Sequence, residues 1–363
     1  MIYYTLVYMI SYLLSILGKN NNIVKILFIS LLLALFASLR SPFVDRDYLN
    51  YYYLWYIGAS EIENIYFEFL SKSIFILSKN LDLEFYFVLF IFSFFSLIFK
   101  LMTIRNLNYN LTAFLCIYVG YFYFQHDMTQ MRLALALGFF TLSFSINNKK
   151  SSILLLVLSL LTHASIIALL FGKLPIFKKR NVLLMMLCIT YSAFLLYLLG
   201  LDATFLLKSL IDNIPYLNKY LFYFSGQWIS QSINVINFTN ISFLLITTVI
   251  SLFIFKYDSD NKTAINICNY TFLGLLFIPL FHSIPVISFR LSQAYLIFFP
   301  LLVAYFITML TNKILLKNSI SLFFIKSILS LLLFLYGMIL YYIVVIHSEI
   351  LNPYSTILSE SIS

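Results

Sequence analysis

The segment Gln125-His126-Asp127-Met128-Thr129-Gln130-Met131-Arg132 sets an arginine among polar neighbours inside an otherwise apolar stretch. A charge set within an apolar stretch is costly, so an arginine with this many polar neighbours reads as lining a cavity or a site. At about 100° per residue, Gln125, Thr129 and Arg132 fall on one helix face, with His126 and Gln130 beside it. Ala134 and Gly138 follow four apart, a spacing that lets a second helix pack closely. The competing reading is an arginine that only anchors a helix end at the membrane surface.

Three further places carry chemistry. His163 stands in Leu160-Leu161-Thr162-His163-Ala164-Ser165; an imidazole titrates near working pH and can act as a general base or donate to a substrate hydroxyl. A buried histidine satisfied by a carbonyl is its structural alternative. Arg290 and Gln293 share a helix face at i, i+3 after His282 and Pro285, a guanidinium suited to phosphate, with an interface anchor as the alternative. Asp45-Arg46-Asp47-Tyr48-Leu49-Asn50-Tyr51-Tyr52-Tyr53 mixes carboxylates with tyrosines, which suits sugar hydroxyls; a solvated charge run with belt aromatics would look the same. Glu61, Glu63 and Glu68 follow, and residues 65–77 predict an amphipathic helix lying at the interface. A second aromatic group, Tyr216, Tyr220, Phe222, Tyr223, Phe224 and Trp228, fits a membrane belt, with sugar stacking as a minor alternative.

The elements that must position these residues are membrane helices. Hydrophobic residues make up 62% of 363 positions and charged residues 10%, against about 25% charged in a soluble domain. Apolar runs recur at spanning length with short polar breaks, and strand alternation is absent, which excludes an outer-membrane barrel. The fold class is therefore all-α, a polytopic integral membrane protein crossing the bilayer about ten to twelve times, the whole chain (1–363) forming one membrane domain. Spans read at 2–17, 23–39, 84–100, 108–124, 127–146, 181–200, 238–256, 264–282, 291–312 and 319–346. The first lacks the basic start and small-residue cleavage site of a signal peptide. Residues 151–177 read either as one tilted span or as two half-spans meeting at Thr162-His163. The cysteines, Cys116, Cys188 and Cys268, are scattered through apolar runs, so neither a disulfide framework nor a zinc site is expected. No phosphate-binding glycine loop is present, which argues against a nucleotide-driven pump. The net charge of +9 fits cytoplasmic loops and does not call for nucleic acid.

Basic residues near span ends favour the cytoplasm, and they discriminate between the two readings of 151–177. With a break at His163 and the N-terminus outside, the cytoplasmic side collects Lys19, Lys25, Lys100, Arg105, Lys149, Lys150, Lys173, Lys178, Lys179, Arg180, Lys256, Lys262, Lys313, Lys317 and Lys326, with only Asp258 and Asp260 beside them. Two long loops, 40–83 and 201–237, then lie outside, and Arg132, His163, His282 and Arg290 fall near outer helix ends. An intramembrane charge costs at least about 2.5 kcal/mol, so such residues mark a cavity or a site.

Taken in order, Arg46-Asp47-Tyr48-Leu49-Asn50-Tyr51, the following 67–76 segment, Gln130-Met131-Arg132-Leu133-Ala134-Leu135-Ala136, the turn Asn147–Lys150, His163-Ala164-Ser165 and Arg290-Leu291-Ser292 resemble the EpsG/Wzy-type bacterial polysaccharide polymerases. Two departures stand out: the usual Gln-x-Arg-Gln ends in Leu133, and no Glu-Pro-Gly-like turn precedes the interfacial helix. The resemblance implies a glycosyltransferase-type polymerase of the bacterial inner membrane, without metal or cofactor, with an outward-facing site. It would transfer a chain from undecaprenyl pyrophosphate to a new lipid-linked oligosaccharide unit, building O-antigen (of lipopolysaccharide), capsule or exopolysaccharide. A chain-length regulator and a flippase are the implied partners. In that chemistry Arg132 and Arg290 would hold the two pyrophosphates, and His163 or Asp47 would take the hydroxyl proton. Gln130, Gln293, Asp45, Tyr48, Tyr51 and Glu68 would contact substrate. A flippase or other transporter, or a membrane O-acyltransferase, are the rival functions.

Overall fold

The structure is a computed structural model that describes residues 1–17, 22–57, 68–213, 221, 224, 233–314 and 319–357. Glu61, Glu63 and the aromatic group of 216–228, Phe224 apart, lie outside the described residues.

In hydrocarbon a helix keeps its apolar side outward and turns polar groups toward other protein. α1 (Ile2–Ile16) does so: Ile2, Leu6, Met9 and Leu13 are exposed, while Tyr4, Tyr8, Ser11 and Ser15 are buried. The same inversion marks Phe238–Tyr257, where Leu245, Val249 and Leu252 face out and Asn240, Thr247 and Ser251 face in. This distribution, more than hydropathy alone, makes the protein an integral membrane protein.

The remaining helices run in order. α2 (Ile23–Ser38) starts at Asn22, whose side chain accepts from the Val24 N–H. Two short helices, α3 (Tyr48–Tyr56) and α4 (Phe69–Asn80), occupy the first long loop. α5 (Phe85–Leu107) continues until Asn108 adopts a left-handed conformation, φ 59°. α6 (111–126) is built from Leu111–Ile117, a π-turn at Tyr118–Phe122 and Tyr123–His126. α7 (Met131–Ser145) and α8 (Lys149–Thr162) follow, the latter capped by Asn148. Beyond a short helical segment at Ile166–Leu170 come α9 (Arg180–Leu198), α10 (Thr204–Asn213), α11 (Phe238–Tyr257), α12 (Lys262–Leu280), α13 (Pro285–Leu296), α14 (Phe298–Met309) and α15 (Ser319–Tyr341). Among the described residues six helices are long and apolar enough to cross a membrane, and three more, at Ile2–Ile16, Ile23–Ser38 and Met131–Ser145, are apolar but shorter. No strand occurs among them.

Each span read from the sequence has a helix under it, with three corrected boundaries. α5 does not stop at residue 100; nothing breaks it before Asn108, so Lys100 lies inside the helix and not in a cytoplasmic loop. α6 ends at His126 and α7 begins at Met131, because the N–H groups of Asp127 and Met128 both turn back onto the Tyr123 carbonyl. Gln125 and Arg132 therefore belong to different helices and share no face. α13 starts at Pro285, whose fixed φ suits a first helical position, so Arg290 sits within a helix and does not open one. The interfacial helix runs Phe69–Asn80, displaced from the expected 65–77.

The chain forms two compact units. The first, 1–166 with 303–363, is tightly packed where glycine permits it. A Cβ on Gly120 would lie 2.5 Å from the Gly337 carbonyl, and one on Gly138 would lie 3.0 Å from the Ser96 carbonyl, so α6 meets α15, and α7 meets α5, almost backbone to backbone. Residues 351–357 close this unit by folding over the first loop. The Ser41 N–H donates to the Ser355 carbonyl at 2.9 Å, Ile357 to Leu39 at 3.1 Å, and Asn352 to Val44 at 3.0 Å, while Tyr354 stacks on Phe36. In the second unit, 167–302, the 167–178 stretch is held by side chains of α12 and α13. Tyr270 donates to the Leu169 carbonyl at 2.8 Å, Asn269 to Phe177 at 2.7 Å, and Tyr295 to Ala168.

Candidate functional site

α8 stops at Thr162, since His163 takes an extended backbone (φ −156°, ψ 125°) that cannot continue a helix. The break at His163 is thus present, and it is followed by short turns through Lys178 and not by a second half-helix of similar length. Ser71 of α4 fixes the end of α8 by donating to the Thr162 carbonyl at 2.8 Å.

This break turns the Ala164 N–H toward Glu68, the residue before α4, whose Oε1 accepts it at 3.0 Å. The other carboxylate oxygen accepts from Nη1 of Arg132 at 2.7 Å. Arg132 is the second residue of α7, and its guanidinium lies over the ring of Tyr51 at 5.6 Å. Each member of the Glu68–Arg132 pair keeps about a fifth of its side chain exposed (20% and 21%). Burial pushes the Glu68 carboxyl up, but the Ala164 N–H, Arg132 and His163 together outweigh it, and it titrates below its ordinary value of 4.5. On the His163 ring, Nδ1 accepts the Ser165 N–H at 3.2 Å and lies 2.8 Å from the Ser165 hydroxyl. Tyr51, Glu68, Arg132 and the Ala164 amide, far apart in sequence, thus meet, with His163 the chain neighbour of Ala164. Among the described residues no three His, Cys, Asp or Glu side chains gather as metal ligands.

The other expected site residues are placed differently. Asp45 is wholly buried, ion-paired with Arg40 at 2.5 Å, and its Oδ1 accepts the Asp47 N–H at 2.9 Å; the carboxylate shapes the loop. Asp47, half-buried, starts α3. Tyr48 is buried edge-on against Phe85, and Tyr51 is buried beneath Arg132. Gln130 is half-buried just before α7, its carbonyl accepting from the Ala134 N–H. Arg290 and Gln293 are in the second unit, on α13, where Arg290 is exposed and Gln293 is buried. His282 is satisfied locally, Nδ1 lying 2.9 Å from the Pro279 carbonyl with the ring edge-on to Tyr197.

One cluster escaped sequence reasoning. Lys100 reaches Asp127 at 3.2 Å, Ser96 at 2.6 Å and the Tyr118 hydroxyl at 2.6 Å, all fully or almost fully buried. Tyr118 and Ser96 also donate to the Asp127 carboxylate, and Ser93 to its carbonyl. The pattern Ser96-x-x-x-Lys100 within an apolar run was its signal, a helix face too polar for lipid.

Comparison with known proteins bears on what such a constellation serves. The model of the EpsG family matches residues 23–356, nearly the whole chain. The protein belongs to the EpsG family. No curated protein and no solved structure matches it. The matched range takes in all four residues of the Glu68–Arg132–His163–Tyr51 group, as well as Asp47, Arg290 and the closing segment up to residue 356. EpsG family membership points to a polysaccharide polymerase embedded in a membrane.

Proposed function

We propose that this EpsG family protein joins undecaprenyl-pyrophosphate-linked oligosaccharide units into a surface polysaccharide at the outer face of the bacterial inner membrane. The observation that carries the reading is the Glu68–Arg132 pair anchored on Ala164 beside His163. A fixed, partly exposed guanidinium is suited to the charge that grows on pyrophosphate as the anomeric bond breaks, and such preorganised donors are typically worth about 2.7–4 kcal/mol. Glu68 holds the fork in one orientation and leaves a fifth of it reachable by ligand. Gln130, just before Arg132, is a proposed polar contact to the oligosaccharide, and Arg290 and Gln293, on α13 of the second unit, are proposed by themselves as contacts to lipid-linked substrate. Tyr48, Tyr51 and Asp45 act through the shape of the loop. Apolar helix surfaces let the lipid tails approach from the bilayer and keep water, which would hydrolyse the donor, away from it. A flippase and a chain-length regulator are the expected partners, upstream and alongside.

The test is complementation of a deletion strain with Arg132→Ala, Glu68→Gln and Arg290→Ala, followed by electrophoresis of surface glycan. The expected result is single repeat units in place of long chains at normal protein levels. Long chains persisting in all three would overturn the site, and absence of even single units would point to a flippase instead.

A further inference from the structure

The general base is the open question in this reading, because both His163 and Asp47 are suited to it. The hydrogen bonds around His163 decide between them. A backbone N–H can only donate, and that of Ser165 points at Nδ1 from 3.2 Å. Nδ1 must then present its lone pair, so the neutral ring carries its hydrogen on Nε2. The Ser165 hydroxyl, 2.8 Å from the same nitrogen, completes the bond as a second donor. The arrangement is local and rigid: His163 is tied backward through its N–H to the Ser159 carbonyl and forward through its carbonyl to the Ile166 N–H. Turning the ring to free Nδ1 would strand the Ser165 amide in a half-buried break.

Resting on the polymerase reading, we infer that His163 is a hydrogen-bond donor and not the base: its Nε2–H stabilises the departing pyrophosphate beside Arg132, and Asp47 takes the proton. Asp47 stands at the start of α3, where its carbonyl accepts the Tyr51 N–H at 3.1 Å, one helical turn from the ring that lies under Arg132. In the step so assigned, the acceptor hydroxyl oxygen bonds to the anomeric carbon and its proton passes to the Asp47 carboxylate. The bond from that carbon to the pyrophosphate oxygen breaks, and the electron pair remains on the pyrophosphate, where Arg132 and the His163 Nε2–H donate to it. Asp47 returns its proton to water, and no oxidant or metal enters the balance.

Two side chains separate donation from mere structure. Asparagine can replace Nδ1 as acceptor of the Ser165 N–H but has nothing at the Nε2 position, whereas glutamine places an amide N–H near Nε2. Polymer made by His163→Gln should stay within about tenfold of the parent while His163→Asn loses it. 15N spectra of the full chain, histidine-labelled in nanodiscs and assigned by the signals lost in H163Q, should show hydrogen on Nε2 and none on Nδ1. Hydrogen on Nδ1, loss of polymer in both variants, or retention in H163N overturns the inference. Arg132→Ala made in parallel keeps the two failures apart: long chains there remove the polymerase site itself, whereas their loss there leaves that site standing whatever His163 does.

Discussion

Lys100 and Asp127 meet at 3.2 Å with 2% and 0% of their side chains exposed; Glu68 and Arg132 meet at 2.7 Å with 20% and 21% exposed. Both pairs join elements of the first unit, and both contain one basic residue from an apolar helix. They differ in closure. The first is surrounded by Ser93, Ser96 and Tyr118, so its hydrogen-bonding capacity is spent inside the protein. The second spends one oxygen of Glu68 on Ala164 and keeps a face toward solvent or ligand. In a low-dielectric core a closed pair fixes helices in place, because separating its members leaves a bare charge. An open pair can exchange part of its partner set for a phosphate. Within one unit, charge is sealed at one pair and left accessible at the other, and exposure distinguishes them.

Breaking the closed pair should have the largest effect. Lys100→Met leaves Asp127 uncompensated and should cost about 3–5 kcal/mol, while K100M combined with Asp127→Leu should recover much of that loss. Thermal unfolding in detergent reads both, and a single variant as stable as the parent would show that the pair is not sealed. Next comes the open pair: Arg132→Ala should lower polymer formation about 10²–10³-fold, with only the small drop in melting temperature that loss of its bond to Glu68 brings. Arg132→Lys should recover only part of the activity, since an ammonium lacks the fork. Gly120→Ala tests whether the helices framing the closed pair tolerate growth; its Cβ would press on the Gly337 carbonyl, and about 1–3 kcal/mol of stability should go. The smallest effect concerns pH. The Glu68 carboxyl titrates below 4.5, so its contribution is fully present above that value and is lost as pH falls through the lower, folded-state value. Melting curves of the parent and Glu68→Gln should therefore differ at pH 7 and draw together as the medium is made acid enough to protonate the folded carboxylate; curves that stay parallel throughout the acid limb would remove the ionised pair from the stability of the fold.

Helix positions were legible because apolar runs of spanning length are a local signal, whereas the start of α13 at Pro285 was missed. Arg132 and His163 were also legible, as polar residues too costly to leave in lipid, and Glu68 was noted only as a carboxylate of the first long loop. Their meeting was not, since Glu68 binds the Ala164 amide, and a backbone N–H carries no residue type to notice. Lys100 was misread for a related reason. A lysine near the end of an apolar run looks like an interface anchor until its partner, 27 residues on, is seen. Asp45 looked like a sugar ligand because Arg40, five residues earlier, is hidden at the end of a span.

The segment 351–357 that folds over the first loop has a consequence for timing. Ser41 leaves the ribosome 314 residues before Ser355, to which it is bonded. Throughout that interval the loop carrying Asp45 and Asp47, and through α3 the ring beneath Arg132, has no lid to fold against. A nascent chain can insert its helices one after another, yet this corner stays open until translation has passed the seven residues 351–357. Stalled or shortened products would hold their helices while the corner of α3 and its preceding loop stays unsealed.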